Sequence, residues 1–294
     1  MRISCCQGGI RDGETCLGCA LHGEPNICEH PLAIIKEMVH GQARRGQTGD
    51  YSATRLQNCP RFVQLTSGES GGSIDSPDRY YARARGSIVH RGAEETVKGT
   101  PGTSTEARLF KDIEVDGEVF TISGQYDLRL HSYRGGTILE DYKTTGKSRA
   151  SISEPDKDYG YQANNYAWLH EGGRVGIDGE PINVSISAYR VWYFASDGTK
   201  GFWVPIREVS ETEAYIRERI RAFNSDELNP ILPFREFRNR KGEPQFTIDK
   251  HCGWCPIKDQ CFAMEGMKVV GTKAKPLDYE EEAREAVDDP FSEW

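Results

Sequence analysis

Residues 106–145 contain the pattern that most constrains the fold of this chain. In EARLFKDIEVDGEVFTISGQYDLRLHS, polar and apolar residues alternate, which is typical of strands with one buried face. The pair Asp116-Gly117 predicts a tight hairpin turn, and Arg134-Gly135-Gly136 predicts a second turn before the strand TILEDYKTT (137–145). We therefore expect consecutive strands that pair through short turns.

The segments around this block predict helices and further strands. Helical patterns cover 52–66, where Pro60 interrupts the pattern, and also 79–97, 157–170 and 210–224. Residues 182–194 predict one strand, and GFWVPI (201–206) is expected to pair with it. Helices and strands in this order predict an α/β fold with a mixed central sheet flanked by helices.

The strand TILEDYKTT ends in charged residues, which calls for an explanation. Because side chains alternate along a strand, Asp141 and Lys143 share one face, while Glu140 and Tyr142 share the other. A carboxylate binds a hard divalent ion, and a neighbouring lysine orients water or stabilises charge on a phosphate. The alternative is an ordinary salt pair on an edge strand, and D-x-K alone does not decide between the two.

Three further motifs contain possible metal ligands and polar residues that could act together with this strand. A hairpin brings Asp127 of GQYD close to Asp141, and two carboxylates suit a hard metal ion. His90 of GSIVH adds a ligand that suits Mn²⁺ as well as Mg²⁺. Gln162 and Tyr166 lie four residues apart and so share one helix face. Taken singly, these motifs also fit a hydrogen-bonded helix histidine and an ordinary amphipathic helix.

The cysteines form two groups. Cys252, Cys255 and Cys261 stand in a C-x2-C-x5-C array, and Cys59 lies far upstream before a proline. Four thiolates can hold a [4Fe–4S] cluster or a tetrahedral zinc ion, and buried free cysteines are the alternative. The N-terminal group predicts a small zinc module, with unliganded thiols in an irregular arm as the alternative. It consists of Cys5, Cys6, Cys16, Cys19 and Cys28.

Charge is distributed unevenly along the chain, whose net charge is −8. The last sixteen residues hold seven acidic residues and one arginine, which predicts a solvated, disordered tail. Basic residues cluster in 79–91 and 234–244, and local basic surface binds phosphates even on an acidic protein. We expect Arg79, Arg83, Arg238 and Arg240 to contact DNA. Since no apolar span and no signal peptide are visible, we expect a cytoplasmic protein without membrane contact.

The order of the motifs GSIVH, GQYD, EDYK and QANNY resembles the RecB-like nucleases of the PD-(D/E)XK superfamily, over roughly residues 52–262. With the cysteine pattern, it resembles their iron–sulfur subgroup, which includes CRISPR-adaptation nucleases and the nuclease domain of AddB. The resemblance implies a restriction-endonuclease-like core closed by a C-terminal [4Fe–4S] staple at Cys59, Cys252, Cys255 and Cys261. It implies Mg²⁺ or Mn²⁺ at His90, Asp127, Asp141 and the Tyr142 carbonyl, with Lys143, Gln162 and Tyr166 as catalytic residues.

These expectations give a division of the chain and a function. The division is a Cys-rich segment (1–50), a nuclease domain (51–270) and an acidic tail (271–294). The function is a metal-dependent exonuclease on single-stranded DNA ends, acting in recombination, repair or processing. Its alternatives are a non-catalytic DNA-binding or assembly subunit and a structure-specific endonuclease. The N-terminal segment and the tail are also candidate contacts for a protein partner.

Overall fold

The computed structural model describes residues 2–4, 10–12, 15, 19, 48–67, 74–75, 77–105, 107–133, 136–232, 235–238, 240, 242, 244–271 and 273–276. The chain divides into two compact units, one of Met1–Gln57 with Ser70–Arg221 and one of Asn58–Glu69 with Ala222–Trp294. Among the helices of the described residues, none is both long enough and apolar enough to cross a membrane.

The secondary structure of the described residues mixes strands and helices along the whole chain. The strands are β1 (Arg2–Ser4), β2 (Ile10–Asp12), β3 (Tyr51–Ser52), β4 (Ile74–Asp75), β5 (Thr103–Thr105), β6 (Arg108–Val115), β7 (Glu118–Gln125), β8 (Leu128–Tyr133), β9 (Gly136–Thr144), β10 (Glu171–Val175), β11 (Pro181–Asn183), β12 (Ala188–Ala195), β13 (Gly198–Val204), β14 (Arg235–Arg238), β15 (Pro244–Thr247), β16 (Met267–Val270) and β17 (Lys273–Pro276). The helices are α1 (Pro60–Thr66), α2 (Pro77–Val97), α3 (Lys157–His170), α4 (Val209–Phe223), α5 (Lys250–Trp254) and α6 (Lys258–Ala263).

Two larger sheets build the first unit. In the described residues one has the order β11-β10-β6-β7-β3, and the other has the order β13-β12-β9-β8-β5. Strand β9 pairs antiparallel with β8 and parallel with β12, so the second sheet is mixed. Parallel neighbours need a crossover connection, and α3 lies in the chain between β9 and β12. The predicted mixed α/β architecture is therefore confirmed.

The predicted strands of this region and the first turn are confirmed, whereas Arg134 and Gly135 of the second predicted turn lie outside the described residues. Strands β6 and β7 pair antiparallel through a two-residue turn, in which Asp116 has φ 53° and Gly117 has φ 89°. Two consecutive positive φ angles are the type I′ geometry that fits the twist of a hairpin, which is why an Asp-Gly pair serves there. Every second side chain near the end of β6 is buried, with Ile113 and Val115 facing inward.

Helix α3 packs directly on the strands that carry the GQYD motif. The side chain of Asp156 caps its first turn by accepting a hydrogen bond from the Asp158 amide. A Cβ atom at Gly124 would lie 2.7 Å from the side chains of both Tyr166 and Leu169, so this glycine allows the helix to approach β7. Gly172 follows the helix with φ 84°, the left-handed conformation that commonly ends helices.

Two predicted segments are wrong in their boundaries. The region 52–66 is not one interrupted helix, because α1 starts at Pro60 with Cys59 as its N-cap residue. Proline lacks the amide that a helix interior needs but is favoured in the first turn. The predicted strand 182–194 divides into β11 and β12, which belong to different sheets. The chain crosses between the sheets at 184–187, where the Val184 amide bonds to the His170 carbonyl instead of a ladder partner.

The second unit combines α1 with the C-terminal elements. Its described strands form a sheet of the order β14-β15-β17-β16. Ile248, Cys252, Phe262 and Ala274 form a small buried core. Arg61 of α1 is buried and reaches Glu265 at 2.7 Å and the Asn229 carbonyl at 3.0 Å. The short segment 58–67 thus bonds to residues that lie more than 150 positions later in the chain.

Candidate active site

The two carboxylates of the predicted site come together through the register of β8 and β9. Leu128 pairs with Glu140 and Arg129 pairs with Leu139, so continuing this register places Asp127 opposite Asp141. The Tyr142 amide donates a hydrogen bond to Asp127 Oδ2 at 2.7 Å, which fixes the aspartate at the start of β8. From α2, His90 Nδ1 lies 3.2 Å from Asp127 Oδ1.

Strand alternation separates the four charged or polar side chains of EDYK as predicted. Lys143 Nζ lies 2.6 Å from Asp141 Oδ2, and the Asp141 side chain is nearly inaccessible. Glu140 forms an ion pair with Arg190 of the neighbouring strand β12, and the Tyr142 hydroxyl donates to Glu140 at 3.4 Å. Glu140 therefore has its own partners, whereas Asp141 is the carboxylate that faces Lys143.

The charges of this site shift the pKa values of its members. Burial raises the pKa of Asp141, against the opposing effect of the Lys143 ammonium. Burial acts to lower the pKa of Lys143, but the Asp141 and Asp127 carboxylates outweigh it and raise this pKa above its usual value. At His90, burial is outweighed by the hydrogen bond and charge of Asp127, so its pKa is also raised. The two carboxylates thus favour the protonated forms of Lys143 and His90.

Helix α3 presents the predicted glutamine and tyrosine together. Gln162 Nε2 lies 3.2 Å from the Tyr166 hydroxyl and 3.4 Å from the Thr54 hydroxyl, and both α3 residues are buried. Burial, followed by the charge of Asp141, raises the pKa of Tyr166 to about 12. Tyr166 therefore keeps its proton at neutral pH, so its hydroxyl remains a hydrogen-bond donor close to the carboxylates.

Comparisons with known sequences agree with this arrangement. The profile of the PD-(D/E)XK nuclease superfamily matches residues 103–262, which is more than half of the chain and includes Asp127, Asp141 and Lys143. The chain belongs to the PD-(D/E)XK nuclease superfamily. The mixed sheet and flanking helices of the first unit fit the core of this superfamily.

Two individual proteins also resemble this PD-(D/E)XK protein over part of its length. The CRISPR-associated exonuclease Cas4 of Saccharolobus solfataricus is 31% identical over 118 residues, which cover 40% of this chain and 55% of that protein. The chain thus matches about half the length of this curated relative. The crystal structure of SSO0001 aligns with 66% of this chain and 85% of its own, at 21% identity and a TM-score of 0.49. This TM-score is too low to establish a shared fold.

PD-(D/E)XK nucleases generally use divalent metals, and the donor chemistry of this site fits one. Two carboxylates and an imidazole are ligands that Mg²⁺ or Mn²⁺ accepts. Asp141 Oδ2 is buried, and Lys143 Nζ lies 2.6 Å from it. In the described part of the chain, however, no three His, Cys, Asp or Glu side chains are prearranged to hold a metal ion. The carboxylates of Asp127 and Asp141 instead contact His90, Lys143 and the Tyr142 amide.

The second unit contains the four cysteines that the sequence analysis grouped, and the absence of a prearranged metal site in the described residues applies to them as well. Cys59 begins α1, Cys252 lies in α5, Cys255 follows α5 and Cys261 lies in α6. Burial, then the charges of neighbouring residues that include the other three thiols, raises the pKa of Cys252 to about 12. The pKa values of Cys255 and Cys261 are also raised, with burial as the largest cause. All four are free thiols.

The structure describes only some of the other predicted site residues. Cys19 is a half-buried free thiol, and the rest of the proposed zinc group, Cys5, Cys6, Cys16 and Cys28, lies outside the described residues. The acidic tail lies outside them as well. Arg79 and Arg83 belong to α2. Arg238 and Arg240 are exposed, and Arg238 donates to the Gly242 carbonyl at 2.6 Å.

The sequence analysis did not single out Tyr159, which borders the site. The Lys143 ammonium lies 4.9 Å from the centre of the Tyr159 ring, within the range of a cation–π contact. Tyr159 precedes Gln162 by three residues, so the same helix-face argument that paired Gln162 with Tyr166 identifies it. Its contact with Lys143 depends on the packing of α3 against the sheet, which the local sequence does not encode.

Proposed function

We propose that this protein is a metal-dependent deoxyribonuclease that hydrolyses phosphodiester bonds at Asp127, Asp141 and Lys143. The observation that supports it most is the meeting of His90, Asp127, Asp141 and Lys143 from three separate elements, in a chain of a nuclease superfamily. We further propose an exonuclease on single-stranded DNA ends, because the curated relative is named an exonuclease.

The proposed metal ligands are His90, Asp127, Asp141 and the main-chain carbonyl of Tyr142. When bound, Mg²⁺ or Mn²⁺ supplies Lewis acidity, which lowers the pKa of bound water and neutralises charge that develops on the phosphate. For His90 Nδ1 to bind an ion, it would have to lose the proton through which it contacts Asp127 Oδ1.

The remaining residues of the site act on the phosphate and the attacking water. Lys143 is proposed to donate to a phosphate oxygen or to orient the water, since the adjacent carboxylates keep its ammonium charged. Gln162 and Tyr166 are proposed to bond to the phosphate and the attacking water. They would use the side-chain amide and the hydroxyl that now bond to each other. Arg79, Arg83, Arg238 and Arg240 are proposed contacts to the DNA backbone.

For the second unit we propose a [4Fe–4S] cluster at Cys59, Cys252, Cys255 and Cys261, with zinc as the alternative at the same site. Either group would join the start of α1 to α5 and α6, which are almost 200 residues apart in the sequence. This staple would be structural. The zinc module at residues 1–50, the nuclease domain at 51–270, the tail at 271–294 and a protein partner at either end remain predictions.

The test uses protein purified without oxygen. End-labelled linear single strands, duplexes and single-stranded circles are incubated with Mg²⁺, Mn²⁺ or EDTA. The proposal predicts metal-dependent loss of linear single strands, with circles intact. Cut circles would replace the exonuclease with an endonuclease. Binding without any cleavage, by folded and cluster-loaded protein, would contradict the catalytic proposal and favour an assembly subunit.

A further inference from the structure

Arg129 is a half-buried cation next to the candidate active site, and it lacks a charge partner. Its Nη1 atom is buried without a hydrogen-bond partner, and no described carboxylate forms an ion pair with it. Other arginines of the first unit face carboxylates at ion-pair distance, as Arg174 does with Asp112 and Arg221 with Asp116. A guanidinium partly removed from water without an anion is unfavourable, so this position is suited to an anionic ligand.

The groups around Arg129 orient it but do not neutralise it. Arg129 Nε donates to His131 Nε2 at 3.2 Å, so this imidazole nitrogen is an acceptor and His131 is neutral. The guanidinium lies 5.5 Å from the centre of the Tyr126 ring, and Ser104 bonds to the Tyr126 hydroxyl at 3.1 Å. These contacts hold the guanidinium in place, whereas the charge of Arg129 stays available.

The strand register relates Arg129 to the proposed catalytic residues. Arg129 pairs with Leu139, and side chains alternate, so Arg129 and Asp127 share the sheet face of Asp141 and Lys143. Two residues along a strand span roughly 7 Å, which is close to the separation of successive phosphates in an extended nucleic-acid strand. A phosphate held at Arg129 is therefore a neighbour of a phosphate at Asp127 and Asp141.

We propose that Arg129 binds the backbone phosphate that flanks the cleaved phosphodiester. This rests on the proposed function, because it assigns a substrate contact to the same site. The planar guanidinium presents two parallel donors that match a phosphate, and His131 and Tyr126 keep it oriented. Arg129 would contribute to binding and to the position of the strand, and the bond-breaking chemistry would remain with Asp127, Asp141 and Lys143.

The experiment compares Arg129→Gln with wild type in single-strand binding and cleavage. For Arg129→Gln we expect KM to rise roughly tenfold, which corresponds to one charge-assisted hydrogen bond, with kcat little changed. The slope of log affinity against log salt, measured in EDTA, should become shallower by about 0.7 because one phosphate contact is lost. Arg129→Lys should keep the slope. Arg221→Gln, which removes an exposed arginine paired with Asp116, is the control and should change neither value.

A second measurement changes the DNA. Strands that carry one neutral methylphosphonate at each linkage in turn are given to the wild type and to Arg129→Gln. One linkage beside the cut should weaken binding as Arg129→Gln does, and the two changes should not add. If wild type cleaves but Arg129→Gln has the wild-type slope and KM, or the two changes add fully, the Arg129 assignment alone is overturned. If the wild type neither binds nor cleaves strands, the proposed function and this assignment both fail.

Discussion

The carboxylate site of the first unit and the thiol group of the second unit balance charge in different ways. At the carboxylate site, Asp127 and Asp141 already face the basic side chains of His90 and Lys143. At the thiol group, burial is the largest cause that raises the pKa values of Cys252, Cys255 and Cys261, and the charges of Lys258 and Arg61 only partly offset it at Cys255 and Cys261. The carboxylates therefore already have basic partners within the chain, whereas burial favours the neutral form of these three thiols.

This difference predicts that the divalent ion contributes to catalysis and the cluster to the stability of the second unit. Removing a divalent ion from a site that is already paired should affect chemistry and leave the fold intact. Removing a bound cluster from the four thiols should weaken the second unit, because the free energy of metal binding is then part of its free energy of folding. The predictions below test the two halves of this comparison.

The largest effect is expected at Lys143. Lys143→Met keeps the aliphatic stem beside Tyr159 but removes the ammonium, so the cleavage rate should fall on the order of 10²–10³-fold, as when one charge-stabilising donor is lost. The readout is single-turnover cleavage with Mn²⁺. Lys98→Ala, at an exposed lysine paired with Glu95, is the control and should cleave like the wild type. A folded Lys143→Met protein with the wild-type rate would remove Lys143 from the mechanism.

The second effect concerns the thiol group. Cys255→Ser should lower the iron content and the visible absorbance of anaerobically purified protein, and it should lower Tm because the staple is lost. Cys19→Ser, at a half-buried free thiol outside the group, should change neither. Treating the wild type with EDTA should abolish cleavage and leave Tm nearly constant. Equal iron content in both variants would exclude Cys255 as a ligand.

A smaller effect is expected on α3. Tyr166→Phe removes one buried hydroxyl and the partner of Gln162, so the cleavage rate should fall about threefold to tenfold, the value of one neutral hydrogen bond. Tyr161→Phe is the matched control, because the Tyr161 ring stacks on Tyr215 at 4.4 Å and the phenyl ring preserves that contact. Equal rates for the two variants would exclude a role for the Tyr166 hydroxyl.

The smallest effect is expected from deleting residues 279–294. An acidic, solvated tail contributes little to the core, so Tm should change by less than about 2 °C, within the effect of a typical surface change. Circular dichroism melting compares the two chains. A large fall in Tm would show that the tail packs on the folded protein and would refute the interpretation of a solvated tail.

Local sequence patterns predict much of the fold because their causes are local. Alternation and the Asp116-Gly117 turn predict β6 and β7, and the helix over 157–170 has the predicted bounds. The boundary errors have a common origin. Pro60 begins a helix instead of breaking one, and residues 184–187 leave one sheet for another, because each depends on partners elsewhere in the chain.

Prediction of the candidate site from sequence is limited in the same way, because some of its contacts depend on residues elsewhere in the chain. Spacing predicts that Asp141 and Lys143 share a face, and the turn after β8 predicts that Asp127 approaches them. The contacts of Arg190 with Glu140 and of Tyr159 with Lys143 are formed between separate strands and helices. No short motif encodes them, because they depend on which strand neighbours which.

The most direct test of the account compares two adjacent buried carboxylates, Glu140 and Asp141. Asp141→Asn should abolish metal-dependent cleavage of single strands and keep the protein folded. Glu140→Gln should keep cleavage and lower the free energy of unfolding by about 1–3 kcal/mol, because it removes the charge that faces Arg190. Cleavage and thermal melting are measured on both. Cleavage by Asp141→Asn at the wild-type rate, or its loss in folded Glu140→Gln alone, would contradict the assignment of the catalytic carboxylate.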